Sequence, residues 1–291
     1  MWRSDIYVTD HTEPFVCIGA TDIEDAAAGV YCSEANIAIE MDAIQALPYF
    51  RSVQNLVLLP GGLTEPCSHY FDDCPATALK IDYYTDIEDE YTVDISPMSN
   101  LQYVFSRSLL GFRNANQCPN LKAIKVGEWK TQNFLQLGDA GIEALQILKG
   151  SLQSLAGVQA LTKLRFLSIS NCKRIKDFSE LSTCHSLESL VLENCGSKIT
   201  ETMPVIQSLK YLNIHTSILP NAEWFERFPN LQYLTIDAKL EDGKIDRLQD
   251  LKHCVLVTDR RHYTLRNNDL PKSSVSLPKD AYHFELPAIH A

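Results

Sequence analysis

The chain has 291 residues, 45% hydrophobic and 22% charged, which is enough apolar surface for a continuous core and excludes disorder as the default reading. Its formal net charge of −11 repels phosphate backbones and anionic lipid, so nucleic acid and membrane surfaces are excluded as natural partners and a basic protein is favoured. The nine cysteines are odd in number and follow no framework spacing, which fits a reduced, cytoplasmic compartment better than a disulfide scaffold.

Residues 1–41 open without a basic stretch followed by an apolar run, so no secretory leader is expected. No run of about eighteen apolar residues predicts a membrane span anywhere in the chain. Within this first segment NIAIE, 36–40, alternates as a strand does, and MDAIQALPYF follows as a short helix. The segment 1–41 reads as an N-terminal cap, needed because the first unit of a stacked array otherwise exposes its apolar end.

From residue 42 a pattern recurs. Its clearest copy is LTKLRFLSISNCKRIKDFSEL, in which Leu161, Leu164, Leu167, Ile169, Cys172, Ile175, Phe178 and Leu181 fall at steps of three, with a single step of two between Leu167 and Ile169. The step of two fits a short strand with alternate residues inward, and the steps of three fit a tight helical or extended connector. The same LxxLxL core recurs at Val53, Ala76, Leu101, Leu121, Ile142, Leu187, Leu209, Leu231 and Leu251, weakest at Ala76 and Leu101. Connectors such as Ile199, Met203, Ile206 and Leu219, Ala222, Phe225, Phe228 keep the same phase. About ten units result over 42–259, with a period of about 22 residues.

This core and period resemble the leucine-rich repeat family, in the short class found in bacterial internalin-like proteins and eukaryotic phosphatase-regulator types. The resemblance implies an α/β solenoid: a curved array with a parallel β-sheet on the concave face and short helices or 3-10 turns on the convex face. Where that family usually has Asn after the strand, this chain has Cys172, Cys195, Ser217 and Lys239, which speaks against a buried asparagine ladder. After residue 259 the period is lost and Pro271, Pro278 and Pro287 appear, so 260–291 reads as a C-terminal cap and tail, with HYTLR, 262–266, a candidate last strand.

No P-loop, dinucleotide-binding glycine pattern, nucleophile elbow or zinc-protease helix is present, and no cofactor is expected. Cys67, His69 and Cys74 match no paired zinc spacing. A hydrolytic or ligase site built on His253, Cys254 or His262 is disfavoured because Cys254 falls on a core position of its strand.

The informative surface lies on the outward strand positions. Tyr103, Phe166, Tyr211, Tyr233 and His253 occupy one such row; Phe105, Lys125, Gln146, Ser168, Val191, Asn213 and Thr235 the next; Arg107, Glu193, His215 and Asp237 the last. Stacking would place Tyr211, Tyr233 and His253 side by side, as an aromatic stripe edged with polar groups. The unit opening at Ala76 is the longest and carries Asp82, Tyr83, Tyr84, Asp86, Glu88, Asp89 and Glu90, a candidate acidic binding loop at one edge. Stripe and loop together predict a non-catalytic protein–protein interaction module that binds and inhibits or regulates a basic protein, in the manner of an immunity protein neutralising a toxin. The alternative is a scaffold or substrate-recognition adaptor of a larger assembly such as a ubiquitin ligase.

Overall fold

A computed structural model describes residues 15–61, 68–82 and 92–273. Two compact units are described in turn, one formed by 15–130 with 137–142, the other by 131–136 with 143–273.

In the first unit the strands are β1 (Val16–Ile18), β2 (Asn36–Glu40), β3 (Asn55–Leu59), β4 (Ala78–Ile81), β5 (Val93–Asp94), β6 (Tyr103–Ser108), β7 (Phe112–Arg113) and β8 (Ala123–Trp129). β1, β2, β3, β4, β6 and β8 pair side by side in that order, all parallel and in register. β5 and β7 form a separate two-stranded parallel pair. The sheet thus starts ahead of residue 42, with β2 pairing along its whole length to β3 from Asn36 opposite Asn55 to Glu40 opposite Leu59. The strand expected at 36–40 and the helical turn after it are both present, the latter as a 3-10 helix over Met41–Tyr49. The degenerate copies at Ala76 and Leu101 also form strands, β4 and β6. In β6 the polar Ser106 occupies the core row opposite Ile81, where its hydroxyl donates to the Ser108 carbonyl.

In the second unit β9 (Ala144–Gly150), β10 (Phe166–Ser170), β11 (Ser189–Glu193), β12 (Tyr211–Leu219), β13 (Tyr233–Leu240) and β14 (His253–Leu256) again pair in chain order, all parallel. Two rows point into the core. Leu145, Leu167, Leu190, Leu212, Leu234 and Cys254 form one, and Ile147, Ile169, Leu192, Ile214, Ile236 and Leu256 the other, all buried. Each such aliphatic side chain taken out of water contributes about 1.5–3 kcal/mol, which no single coil could realise with its two ends open.

The connectors follow from the steps of three. A 3-10 helix has three residues per turn, so apolar residues three apart share a face; Phe178, Leu181 and Cys184 flank or lie within the turn Ser179–Thr183 and are all buried. Among the described residues the connector helices are of this type except α1 (Ile23–Ala27) and α2 (Ile199–Thr202). Neighbouring connectors are laced by hydrogen bonds: Thr202 Oγ1 accepts from Phe178 N at 3.0 Å, Trp224 Nε1 donates to Thr200 O at 3.2 Å and Asn230 Nδ2 donates to Gln207 O at 2.8 Å.

After β10 and β11 the chain turns through Asn171 and Asn194, which take left-handed φ of 53° and 51°, a conformation Asn tolerates better than most residues. Asn194 Nδ2 donates to Asn171 Oδ1 at 3.3 Å and Asn171 Nδ2 to Leu148 O at 3.2 Å. This short ladder is exposed and sits one residue ahead of the cysteines. The inward position is filled by Cys172 and Cys195, and Cys195 Sγ donates to Ile169 O at 3.1 Å.

HYTLR is a turn, not a strand. Tyr263 is buried, and its hydroxyl accepts from Leu240 N at 3.1 Å and donates to Ala238 O at 3.2 Å. A side chain pinned to β13 in this way holds the segment off the sheet ladder, despite its alternating pattern.

Gly196 is the tightest point of the second unit: a Cβ there would lie 1.7 Å from the Ile175 carbonyl oxygen. Gly196→Ala therefore forces backbone apart, and we expect it to lower stability by about 3 kcal/mol, at the upper end of overpacking costs, read as a fall in the urea midpoint. Gly29→Ala, where a Cβ meets nothing within 4 Å, is the control: its left-handed backbone gives a smaller loss of about 1 kcal/mol.

Candidate functional site

The parallel register of the second unit fixes three outward rows. Phe166, Ser189, Tyr211, Tyr233 and His253 are successive partners in the first. Ser168, Val191, Asn213 and Thr235 follow in the second, and Ser170, Glu193, His215 and Asp237 in the third. The Tyr211 and Tyr233 rings stack at 4.9 Å with an interplanar angle of 18°, and His253 continues the row 6.3 Å beyond Tyr233. Such ring pairs contribute about 0.5–1.5 kcal/mol beyond the area they bury.

Along the third row Ser170 Oγ donates to Glu193 Oε2 at 3.1 Å, and His215 Nδ1 lies 3.3 Å from Asp237 Oδ2. His215 is exposed; Glu193 and Asp237 are half-buried. The carboxylates therefore lie at the water's edge, separated from the aromatic row by the row of Asn213 and Thr235. Phe166 and Tyr233 are largely buried and Tyr211 half-buried, while Asn213 and Thr235 are buried between them.

Tyr103, Phe105, Lys125, Arg107 and Asp82 of the sequence-derived residues lie in the first unit. Tyr103 is half-buried against an apolar cluster of Ala38, Val57 and Ala78, joined there by Phe15 and Leu59. Phe105 carries Lys125 Nζ over its ring at 5.6 Å. Asp82 is engaged within the protein: Lys80 Nζ lies 3.2 Å from its carboxylate and Arg107 Nε donates to it. Burial pushes the Asp82 carboxyl up, but the hydrogen bonds and charges of Arg107 and Lys80 outweigh it and hold it below its ordinary value. The remaining loop residues, Tyr83, Tyr84, Asp86, Glu88, Asp89 and Glu90, lie outside the described residues, as does Cys67.

His253 has partners that sequence reasoning missed. After β14 the chain returns along that strand: Cys254 N donates to Pro271 O at 2.9 Å, Lys272 Nζ donates to Cys254 O at 2.5 Å, and Ser273 N donates to His253 Nδ1 at 3.0 Å. Burial, helped by the charge of Lys272, lowers the His253 pKa, so the ring is neutral with Nδ1 free to accept. The available signal was Pro271, a residue suited to a strand's margin.

Among the described residues no group of three or more His, Cys, Asp or Glu gathers as metal ligands, and no helix is long and apolar enough to cross a membrane. The described cysteines are free thiols. Burial pushes the Cys172 and Cys254 thiols up to about 12, far from the thiolate a nucleophile requires.

No family model matches the chain. An 89-residue stretch, 30% of this chain, is 30% identical to the disease resistance protein RPP5 of Arabidopsis thaliana, of whose length it spans 6%. An internalin of Listeria monocytogenes, InlF, is similar in structure over 84% of this chain and 73% of its own, with a TM-score of 0.53 and 14% identity. With the stacked coils, this likeness makes the chain a leucine-rich-repeat protein in fold.

Two outcomes are expected. Iodoacetamide on the native protein labels the exposed Cys17 and Cys32, whereas Cys172 and Cys254, both fully buried, react only after denaturation, as peptide mass mapping reads. The His253 ring proton resonances titrate with a midpoint below the ordinary 6.5. Because the folded value is depressed, the stability this contact adds is full above pH 6.5 and is lost as pH falls through the folded value.

Proposed function

We propose that this protein is a non-catalytic protein-binding module and that its outer sheet face in the 143–273 unit recognises a basic protein, which it inhibits or regulates. The observation that carries this reading is the stacked Tyr211–Tyr233 pair, extended by His253, with the carboxylates of Glu193 and Asp237 on the same face beyond Asn213 and Thr235. Rigid aromatic rings bury much area at low entropic cost, which is why they dominate binding hot spots. The neighbouring carboxylates, with a chain-wide net charge of −11, supply the long-range attraction that speeds encounter with a cationic surface.

A pull-down from the source organism followed by mass spectrometry is expected to return a basic protein in a roughly equimolar complex. Tyr211→Ala and Tyr233→Ala each weaken that complex by about thirtyfold or more, corresponding to a loss of about 2 kcal/mol at a hot spot. Asp237→Asn acts chiefly on the association rate and flattens its salt dependence. Unchanged affinity in both tyrosine variants would place the binding surface elsewhere.

A further inference from the structure

In the 143–273 unit the connectors that follow β9, β10 and β11 line a cavity of about 600 Å³. Its lining holds Lys173, Arg174, Lys176 and Lys198, all exposed, together with Ser197 and Gln153. No carboxylate belongs to the described lining. In a chain with 37 Asp and Glu against 26 Lys and Arg, this local charge runs against the composition. The backbone brings it about: a Cβ at Gly196 would lie 1.7 Å from the Ile175 carbonyl oxygen, so the chain entering Ser197 and Lys198 runs hard against the turn that carries Arg174 and Lys176. Lys176 N donates to Gln153 O at 3.1 Å and ties that turn to the coil before it. Two coils thus bring four cations to one opening, and a third adds a carboxamide.

Little within the protein neutralises these charges. Among the described residues Lys173, Arg174 and Lys176 form no ion pair. Lys198 Nζ lies 2.7 Å from Glu201, an exposed bridge of the weak kind that an incoming anion can replace. Asp177, next to Lys176, is engaged elsewhere: its Oδ1 accepts from Ser179 N at 2.8 Å. A cleft lined by one sign of charge concentrates counter-ions. The chain-wide charge of −11 opposes an extended polyanion, which meets the whole field, whereas screening over about 8 Å at physiological ionic strength lets a small anion feel the local cations. The volume falls within the range of about 300–1,000 Å³ usual for small-molecule sites. A guanidinium that can grip two oxygens at once, beside several ammonium point charges, suits phosphate. A single phosphate group carries a charge of only about −2 at most, so four cations call for several.

We propose that this cavity is a binding site for a small soluble anion bearing two or more phosphate groups, held by Lys173, Arg174, Lys176 and Lys198. The inference stands apart from the partner-binding face proposed above, since none of these residues belongs to the outer rows of the sheet.

The test is titration calorimetry of the full chain with inorganic tripolyphosphate at about 0.15 M salt. One saturable site with a Kd of about 100 μM or tighter is expected, with orthophosphate at least about tenfold weaker because it engages fewer of the cations. Combining Lys173→Gln, Arg174→Gln and Lys176→Gln lowers the tripolyphosphate affinity about tenfold or more. The charge-matched combination Lys163→Gln, Lys244→Gln and Arg261→Gln, at exposed positions outside the cavity, leaves it unchanged. In the unaltered protein, tripolyphosphate is expected to slow acetylation of Lys173, Lys176 and Lys198 by an N-hydroxysuccinimide ester, read by peptide mass mapping, without slowing that of Lys163 and Lys244. Absence of saturable heat, an equal loss in the control combination, or uniform protection of all these lysines would each overturn the site, and orthophosphate binding as tightly would overturn the need for several phosphates. Vesicles carrying phosphatidylinositol bisphosphate separate a lipid headgroup from a soluble ligand. The acidic chain is expected to stay in the supernatant; sedimentation with the vesicles that the cavity substitutions abolish would overturn the assignment to a soluble anion.

Discussion

Everything in this protein depends on one constraint: a coil of a leucine-rich repeat cannot close its own core, so each strand must return beside the last in the same register. Leu167, Leu190, Leu212 and Leu234 meet because their strands pair residue for residue. The same pairing that seals the inside also aligns the outside. Tyr211 faces Tyr233 for no reason of its own; it does so because Leu212 must face Leu234. The connectors bear the cost of this regularity, since each must bring the chain back to one place. Gly196 stands so close to the Ile175 carbonyl because there is no room there for a side chain.

Much of this arrangement is readable in the residues. The step of two followed by steps of three encodes strand and 3-10 turn directly, and it located even β4 and β6, where the apolar pattern is weakest. It reached the outer rows as well, because strand alternation fixes which residues share a face. How far each outward residue is buried is another matter. Nothing in the local spelling of Gln146 or Ser168 distinguishes an outward residue that stays in water from one that is buried, as both are. HYTLR misleads for a related reason: its alternation is that of a strand, yet the Tyr263 hydroxyl, accepting from Leu240 N and donating to Ala238 O, ties it to β13 as a turn. The contact of Ser273 with His253 joins two segments with no shared period, so no periodic reading could find it.

The polar groups show how the repeat accommodates substitutions at its usual positions. A thiol at Cys195 serves where a carboxamide is common in such arrays, donating to the carbonyl of Ile169 in the preceding coil, while the carboxamides of Asn171 and Asn194 bond to one another outside. At the strand starts Glu188 is held between Arg165 and Lys210, at 3.0 and 3.1 Å. Burial raises this carboxyl, but its two cationic neighbours more than reverse the effect and leave it below its ordinary value. Exposed bridges of this kind are each worth little; their regular placement lets the acidic chain stack its coils with partly compensated charge.

The return of the chain along β14 has a consequence for solubility. A parallel sheet that simply stopped would present unpaired backbone groups as a template for another chain. Here Cys254 donates its N–H to Pro271 and its carbonyl is taken up by Lys272. Proline offers a carbonyl but no N–H, so the covering residue accepts a hydrogen bond without presenting a fresh donor in its place. The outward N–H and C=O of Cys254 are thereby taken up within the chain, which removes them from the template that a second copy could pair with.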